Sequence, residues 1–271
     1  MNTTIRLGLV AGAALAVSGC GTGNNFVDDA IGSAASAMGQ QVGKAAGDAV
    51  VHHYSPMFLR WQTGYLMRMA FYAEGYSIEA AAHPYEPGEY TEWAVSGRDR
   101  ETASHMRRAF LFENGDGNEW WQVVHDNVDG EEQVTLEALF TPDRSQMLRL
   151  RAEYPDGEGS REMPVEEQNY RAPQRLTSQS IEGATEGVES VSVPAGTFEA
   201  RKVRFGQPGG GTQTWWLNDD VPGGVVKYSW TAPRDEDEEA PEGAEDMPTS
   251  AYIVELQDYG SGAGSRLGIE P

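Results

Sequence analysis

Apolar positions along this chain of 271 residues change their spacing twice. Val27, Ile31, Ala34, Met38, Val42, Ala45 and Ala49 recur at intervals of three and four, the single apolar stripe of a helix. Asn25 is placed to cap it, and Asp28 and Asp29 suit its positive end. Gly39, Gly43 and Gly47 lie beside the stripe at the spacing of a glycine zipper. Each interior glycine costs about 1 kcal/mol relative to alanine. The segment is therefore either a helix-packing or oligomer face or a loosely helical spacer. Ser55-Pro56 marks a second helix start. Phe58, Trp61, Tyr65, Met69 and Tyr72 form the aromatic face of that helix, and Arg60 and Arg68 make it too polar to cross a membrane. Such a face packs on the domain that follows, or plugs or lids a hydrophobic cavity. Residues 26–88 are thus predicted as a helical region.

From about Tyr90 the period becomes two. Met106, Arg108, Phe110 and Phe112 alternate with Arg107, Ala109, Leu111 and Glu113. Asn114-Gly115-Asp116-Gly117 signals a hairpin that returns through Trp120 to His125. Val134 to Phe140 and Leu148 to Tyr154 follow as strands, separated by Pro142-Asp143. A polar stretch from Met163 to Gly187, with room for one helical turn, interrupts the meander. Strands resume at Val188–Val193, Phe198–Phe205, Thr212–Leu217, Val225–Trp230 and Tyr252–Leu256, punctuated by Gly/Pro turns. The pattern predicts a mainly β (α+β) fold: an antiparallel sheet over residues 89–259 behind N-terminal helices. Residues 233–250 form an acidic, solvated loop, with weak calcium binding as the alternative reading, and residues 260–271 read as a disordered tail.

Two strand–turn–strand units, Arg107–Trp121 and Arg201–Trp216, each end in a Trp-Trp pair. Either they mark related half-sheets or their similarity is chance. Alternation sends the rings of each pair to opposite faces, so both faces need apolar cover there. A closed sandwich or barrel would cover itself; otherwise a helix, a partner or an apolar ligand supplies the cover.

Composition narrows the function classes. Asp and Glu number 42 against 20 Lys and Arg, a net charge of −22, which argues against nucleic acid and against adhesion to anionic headgroups. A single cysteine excludes an intramolecular disulfide and a cysteine-based metal site. No phosphate loop, nucleophile elbow or i,i+4 histidine pair occurs, so no catalytic residue, metal site or cofactor is predicted. A hydrolase would need an acidic site that nothing in the sequence marks.

That cysteine, Cys20, follows Leu15-Ala16-Val17-Ser18-Gly19, behind Arg6 and the apolar run Leu7–Val17. The arrangement resembles the lipobox of bacterial lipoproteins, with Val17 where most carry leucine. The resemblance implies a signal peptide at residues 1–19, acylation of Cys20 and a lipidated tether over residues 20–25. The apolar run is too short to span a bilayer core of roughly 30 Å. Gly21, not Asp, follows the cysteine, which resembles the pattern that sorts lipoproteins to the outer membrane, with the protein on its periplasmic face.

Ser192-Val193-Pro194-Ala195-Gly196-Thr197-Phe198, Trp215-Trp216-Leu217 and Asp220-Val221-Pro222-Gly223-Gly224-Val225-Val226-Lys227 are similar to a pattern in uncharacterised envelope proteins of the LolA/LolB-like and DUF3108-type group. The resemblance implies a curved half-barrel sheet wrapped around helices, with a hydrophobic cavity for acyl chains such as palmitate. An anchored chain fits a receptor better than a shuttling carrier. The expected function is lipid or lipoprotein-acyl binding, with Trp120, Trp121, Trp215, Trp216, Phe110 and Phe140 as cavity candidates, only one Trp of each pair facing inward. The alternative is an assembly lipoprotein pairing through Gly39, Gly43 and Gly47 with itself or an envelope partner.

Overall fold

The computed structural model describes residues 56–72, 76–78, 83–97, 102–127, 133–155, 157–165, 170–206, 211–231 and 250–271. Cys20, Gly39, Gly43, Gly47 and the acidic loop short of Ser250 lie outside them.

In chain order the elements are α1 (Pro56–Phe71), β1 (Tyr76–Ser77), β2 (Tyr90–Ser96), β3 (Thr102–Glu113), β4 (Glu119–Asn127), β5 (Gln133–Phe140), β6 (Met147–Glu153) and β7 (Arg161–Met163). Then come β8 (Gln174–Arg175), α2 (Ser178–Gly183), β9 (Thr185–Val193), β10 (Gly196–Gly206), β11 (Thr212–Leu217), β12 (Val225–Thr231) and β13 (Ser250–Gly260). Eleven strands make one antiparallel sheet in the order β7-β6-β5-β4-β3-β2-β13-β12-β11-β10-β9. The sheet is open and curved, a half-barrel with β7 and β9 at its edges. Register breaks recur along it, for example between Phe110 and Phe112 and between Trp216 and Leu217. Such bulges bend strands and increase their twist.

The period-two reading holds for the sheet and fails at one place. At the β3 bulge, Leu111 is the extra residue, and Phe112 packs with Leu111 and Ala109 on the convex side instead of following Phe110 inward. The polar stretch after Met163 carries strand β8 and helix α2, which Thr177 caps by accepting a hydrogen bond from Ser180 N at 3.1 Å.

The predicted helical region 26–88 stops early. Helix α1 ends at Phe71, and Tyr72 at φ 55° leaves the helical path. The chain then forms β1, which pairs in parallel with β8, and Leu176 N donates to Ser77 O at 2.9 Å. Strand β8 sits in the crossover from β7 to β9, the two sheet edges. Tyr170, Leu176 and Ile181 of that crossover are buried in the same core as α1. Sheet, α1 and crossover together enclose the concave side. Leu66, Met67, Ala70 and Phe71 of α1 are buried there, with Phe71 5.7 Å from Trp121 and 5.0 Å from Phe140 between ring centroids.

Residues 260–271, expected as a disordered tail, lie along the convex face. Their anchor is Glu137, fully buried on β5, which accepts from Ser265 Oγ at 2.7 Å, Arg266 N at 2.7 Å, Leu267 N at 3.3 Å and Gln122 Nε2 at 2.8 Å. Ala263 and Ile269 then cover Ala109, Leu111, Trp120 and Leu139. A buried carboxylate is tolerated because four donors replace its water, so the acid specifies the path of the tail.

Candidate functional site

Among the described residues, the concave interior holds a buried arginine. Arg108 sits at an inward position of β3, between Met106 and Phe110, and its side chain is fully buried. Its Nη1 donates to the carbonyl oxygen of Ala70, in the last turn of α1, at 2.6 Å. Its Nη2 donates to Tyr85 Oη at 3.0 Å, and Tyr85 in turn hydrogen-bonds Thr91 Oγ1. The guanidinium carbon lies 4.8 Å from the Tyr85 ring centroid, 5.4 Å from Trp93, 5.6 Å from Trp121 and 5.7 Å from Phe71. Burying a guanidinium is costly. Here the negative end of a helix dipole and several aromatic faces offset the lost hydration.

The Asp220–Lys227 segment of the resemblance motif closes this box from below. Val221 to Val226 are all buried. Gly223 has φ +72°, and its N–H donates to His83 O at 2.7 Å. A Cβ on Gly223 would meet Tyr85 Cε2 at 2.5 Å and Arg108 Nη2 at 2.9 Å. The motif thus packs its glycine against Tyr85 and Arg108, the second of which ties down α1.

Between Arg68, Met69 and Tyr72 of α1 and Trp93, Tyr228 and Tyr252 of the sheet, about 20 Å³ of space is left. That is enough for a single water. Tyr252 Oη donates to Tyr228 Oη at 3.0 Å, and burial pushes both phenols up. Trp93 Nε1 and Trp215 Nε1 are buried and find no acceptor among the described residues. A larger cleft of about 230 Å³ opens at the rim beside Phe71.

Of the cavity candidates, Trp121, Trp215, Phe110 and Phe140 lie on the concave side within the main core. Phe110 and Trp121 stack with centroids 4.9 Å apart. Trp120 and Trp216 are not cavity residues. Trp120 belongs to the convex cluster under the C-terminal tail. Trp216 faces outward, with Lys202 Nζ 5.8 Å and Lys227 Nζ 5.5 Å from its centroid. The inward member is the second Trp of one pair and the first of the other, so the two hairpins do not share a register. Arg108 and Tyr85 were missed as functional candidates. The available signal was a charged residue in the apolar phase of an alternating strand.

His125 follows Trp121 and Val123 on the inward phase of β4, and burial lowers its pKa from 6.5 to about 4, with Asp126 opposing and His105 adding to the shift. Among the described residues no three His, Cys, Asp or Glu side chains converge where a metal could sit. None of the described helices is long and apolar enough to cross a membrane.

No family model and no curated protein matches this chain. Among solved structures it is similar to a protein from Bacteroides fragilis described as exported with a YmcC-like fold, at 12% identity and TM-score 0.35, over 66% of this chain and 99% of that one. It is also similar to a protein from Parabacteroides distasonis described as a lipoprotein, at 13% identity and TM-score 0.32, over 66% and 97%. Superpositions this loose assign neither family nor function.

Proposed function

We propose that this chain is an envelope lipoprotein, anchored through Cys20 to the outer membrane, whose half-barrel takes up an acyl chain in the space that α1 occupies here. The observation that carries this reading is the bond from the buried Arg108 to the Ala70 carbonyl, which together with the Thr63 Oγ1–Tyr154 Oη hydrogen bond at 2.7 Å fastens α1 to the concave wall through discrete polar contacts. A helix held in this way can leave as a unit. Its departure would uncover Phe110, Trp121 and Phe140, an apolar wall suited to methylene chains.

The two indole N–H groups without acceptors support the same reading. Each unpaired buried donor costs about 1–3 kcal/mol, so the occupied interior is not the best state for these groups. Departure of α1 would open the interior around these two donors, so that water can meet them. The lipobox supplies the anchor, and the LolB-like resemblance supplies a precedent for an anchored acyl receptor.

The test is native mass spectrometry of the full chain carrying Cys20→Ser, offered monopalmitoylglycerol. Retained adducts on the wild-type background, lost in Trp121→Ala, support the reading. A clean protein mass, with a lipid-binding control protein retaining its ligand, overturns it.

A further inference from the structure

The 230 Å³ cleft lies between the β5–β6 turn, the crossover and the end of α1, and Phe71, Arg144, Tyr170 and Arg175 are among its walls. Phe71 is the residue that packs on Trp121 and Phe140 inside, so cleft and interior share a wall made by the last residue of α1. Arg144 occupies the left-handed region at φ +50°, a conformation costly for a residue with a Cβ. Tyr170 Oη holds it there, donating to Arg144 O at 2.6 Å. Arg144 lies 5.0 Å over the Trp121 ring and pairs with Glu119 at 3.5 Å. Arg175 donates from Nη2 to the Asp143 carbonyl. The Asp143 carboxylate is taken up within its own turn: Oδ1 accepts from Thr141 Oγ1 at 2.7 Å, Ser145 N at 3.0 Å and Ser145 Oγ at 2.8 Å. The turn therefore fixes two guanidinium groups at the mouth of an aromatic interior, on a chain of net charge −22.

We infer that this cleft is the portal of the half-barrel and that Arg144 and Arg175 hold the anionic end, carboxylate or phosphate, of the acyl ligand. The inference rests on the acyl-binding reading and adds the class of headgroup. A guanidinium presents five N–H donors in a plane, so Arg175, with Nη2 on the Asp143 carbonyl, can engage an oxyanion through other donors of the same plane. The strained backbone at Arg144 is then the feature that aims its side chain at the interior instead of at solvent.

The test compares three palmitoyl ligands that differ only at the polar end: palmitate, palmitoyl lysophosphatidate and monopalmitoylglycerol. Each is titrated into the full chain carrying Cys20→Ser by competition against a fluorescent fatty acid. The wild-type background should bind one or both anionic ligands more tightly than the neutral one, and the better of the two names the headgroup. Arg175→Gln should weaken the anionic ligands about tenfold and leave monopalmitoylglycerol unchanged. Arg144→Asn, which tolerates the left-handed backbone, should do the same; Arg175→Gln, on an exposed side chain, carries the test if Arg144→Asn unfolds. Equal affinity for all three ligands, or equal weakening of all three by Arg175→Gln, overturns the portal while acyl binding stands. Binding of none of them overturns both.

Discussion

Arg108 reaches across the concave side to donate 2.6 Å to the carbonyl oxygen of Ala70, so the middle of β3 holds the end of α1. Arg108→Met keeps the volume and apolar contacts of the stem and removes the donor. The Ala70 carbonyl would then be buried without this partner, at a cost of about 1–3 kcal/mol. Chemical denaturation should report that loss. Arg108→Lys should recover only part of it, because an ammonium cannot serve Ala70 and Tyr85 with one planar fork.

Gly223 is a second point of leverage on the same pair. Its φ of +72° disfavours any side chain, and a Cβ would lie 2.5 Å from Tyr85 Cε2. Gly223→Ala should cost about 2 kcal/mol or more through strain and displacement of Tyr85. Gly115→Ala, in the β3–β4 turn with nothing within 4 Å, should change stability by less than about 0.5 kcal/mol. Paired melts of the two variants check the contrast.

Glu137 predicts the behaviour of the C-terminal segment. Removing its carboxylate strips partners from Ser265 Oγ and from the Arg266 and Leu267 amides. Glu137→Ala should cost about 2–3 kcal/mol and release the tail. Trypsin should then cut after Arg266 faster than in wild type, under conditions where β3 to β6 stay intact.

His125 makes stability depend on pH. Burial holds its folded pKa near 4, below the ordinary 6.5, so between these values the unfolded chain binds a proton that the folded chain does not. Its contribution is full above pH 6.5 and is lost as pH falls toward 4. His125→Gln should be less sensitive than wild type across that window, by about 2–3 kcal/mol at its lower end. Denaturant midpoints of both proteins between pH 7 and 4.5 measure the difference.

The sheet was legible because it needs only period-two alternation and Gly/Pro turns. The strands from Met106 to Tyr154 and from Val188 to Leu256 lie where the pattern puts them. Alternation also fixed that each Trp pair splits across the sheet, but not which ring goes inward, since that depends on the bulges beside Phe110 and Trp216. The tail was misread because its Gly/Ser composition lacks periodicity. Its order comes from groups more than a hundred residues earlier in the chain, the Glu137 carboxylate and the convex apolar cluster. The Arg108 box was hidden for the same reason: Ala70, Tyr85, Arg108 and Gly223 meet only after the half-barrel curls around α1.

On the proposed function, α1 is a displaceable occupant of the half-barrel. Hydrogen exchange read by mass spectrometry, on the full chain carrying Cys20→Ser with and without saturating palmitate, tests it most directly. Residues 63–71 should exchange faster with ligand, with unchanged protection in β3, β4 and β5. Ligand retention with α1 equally or better protected would contradict it.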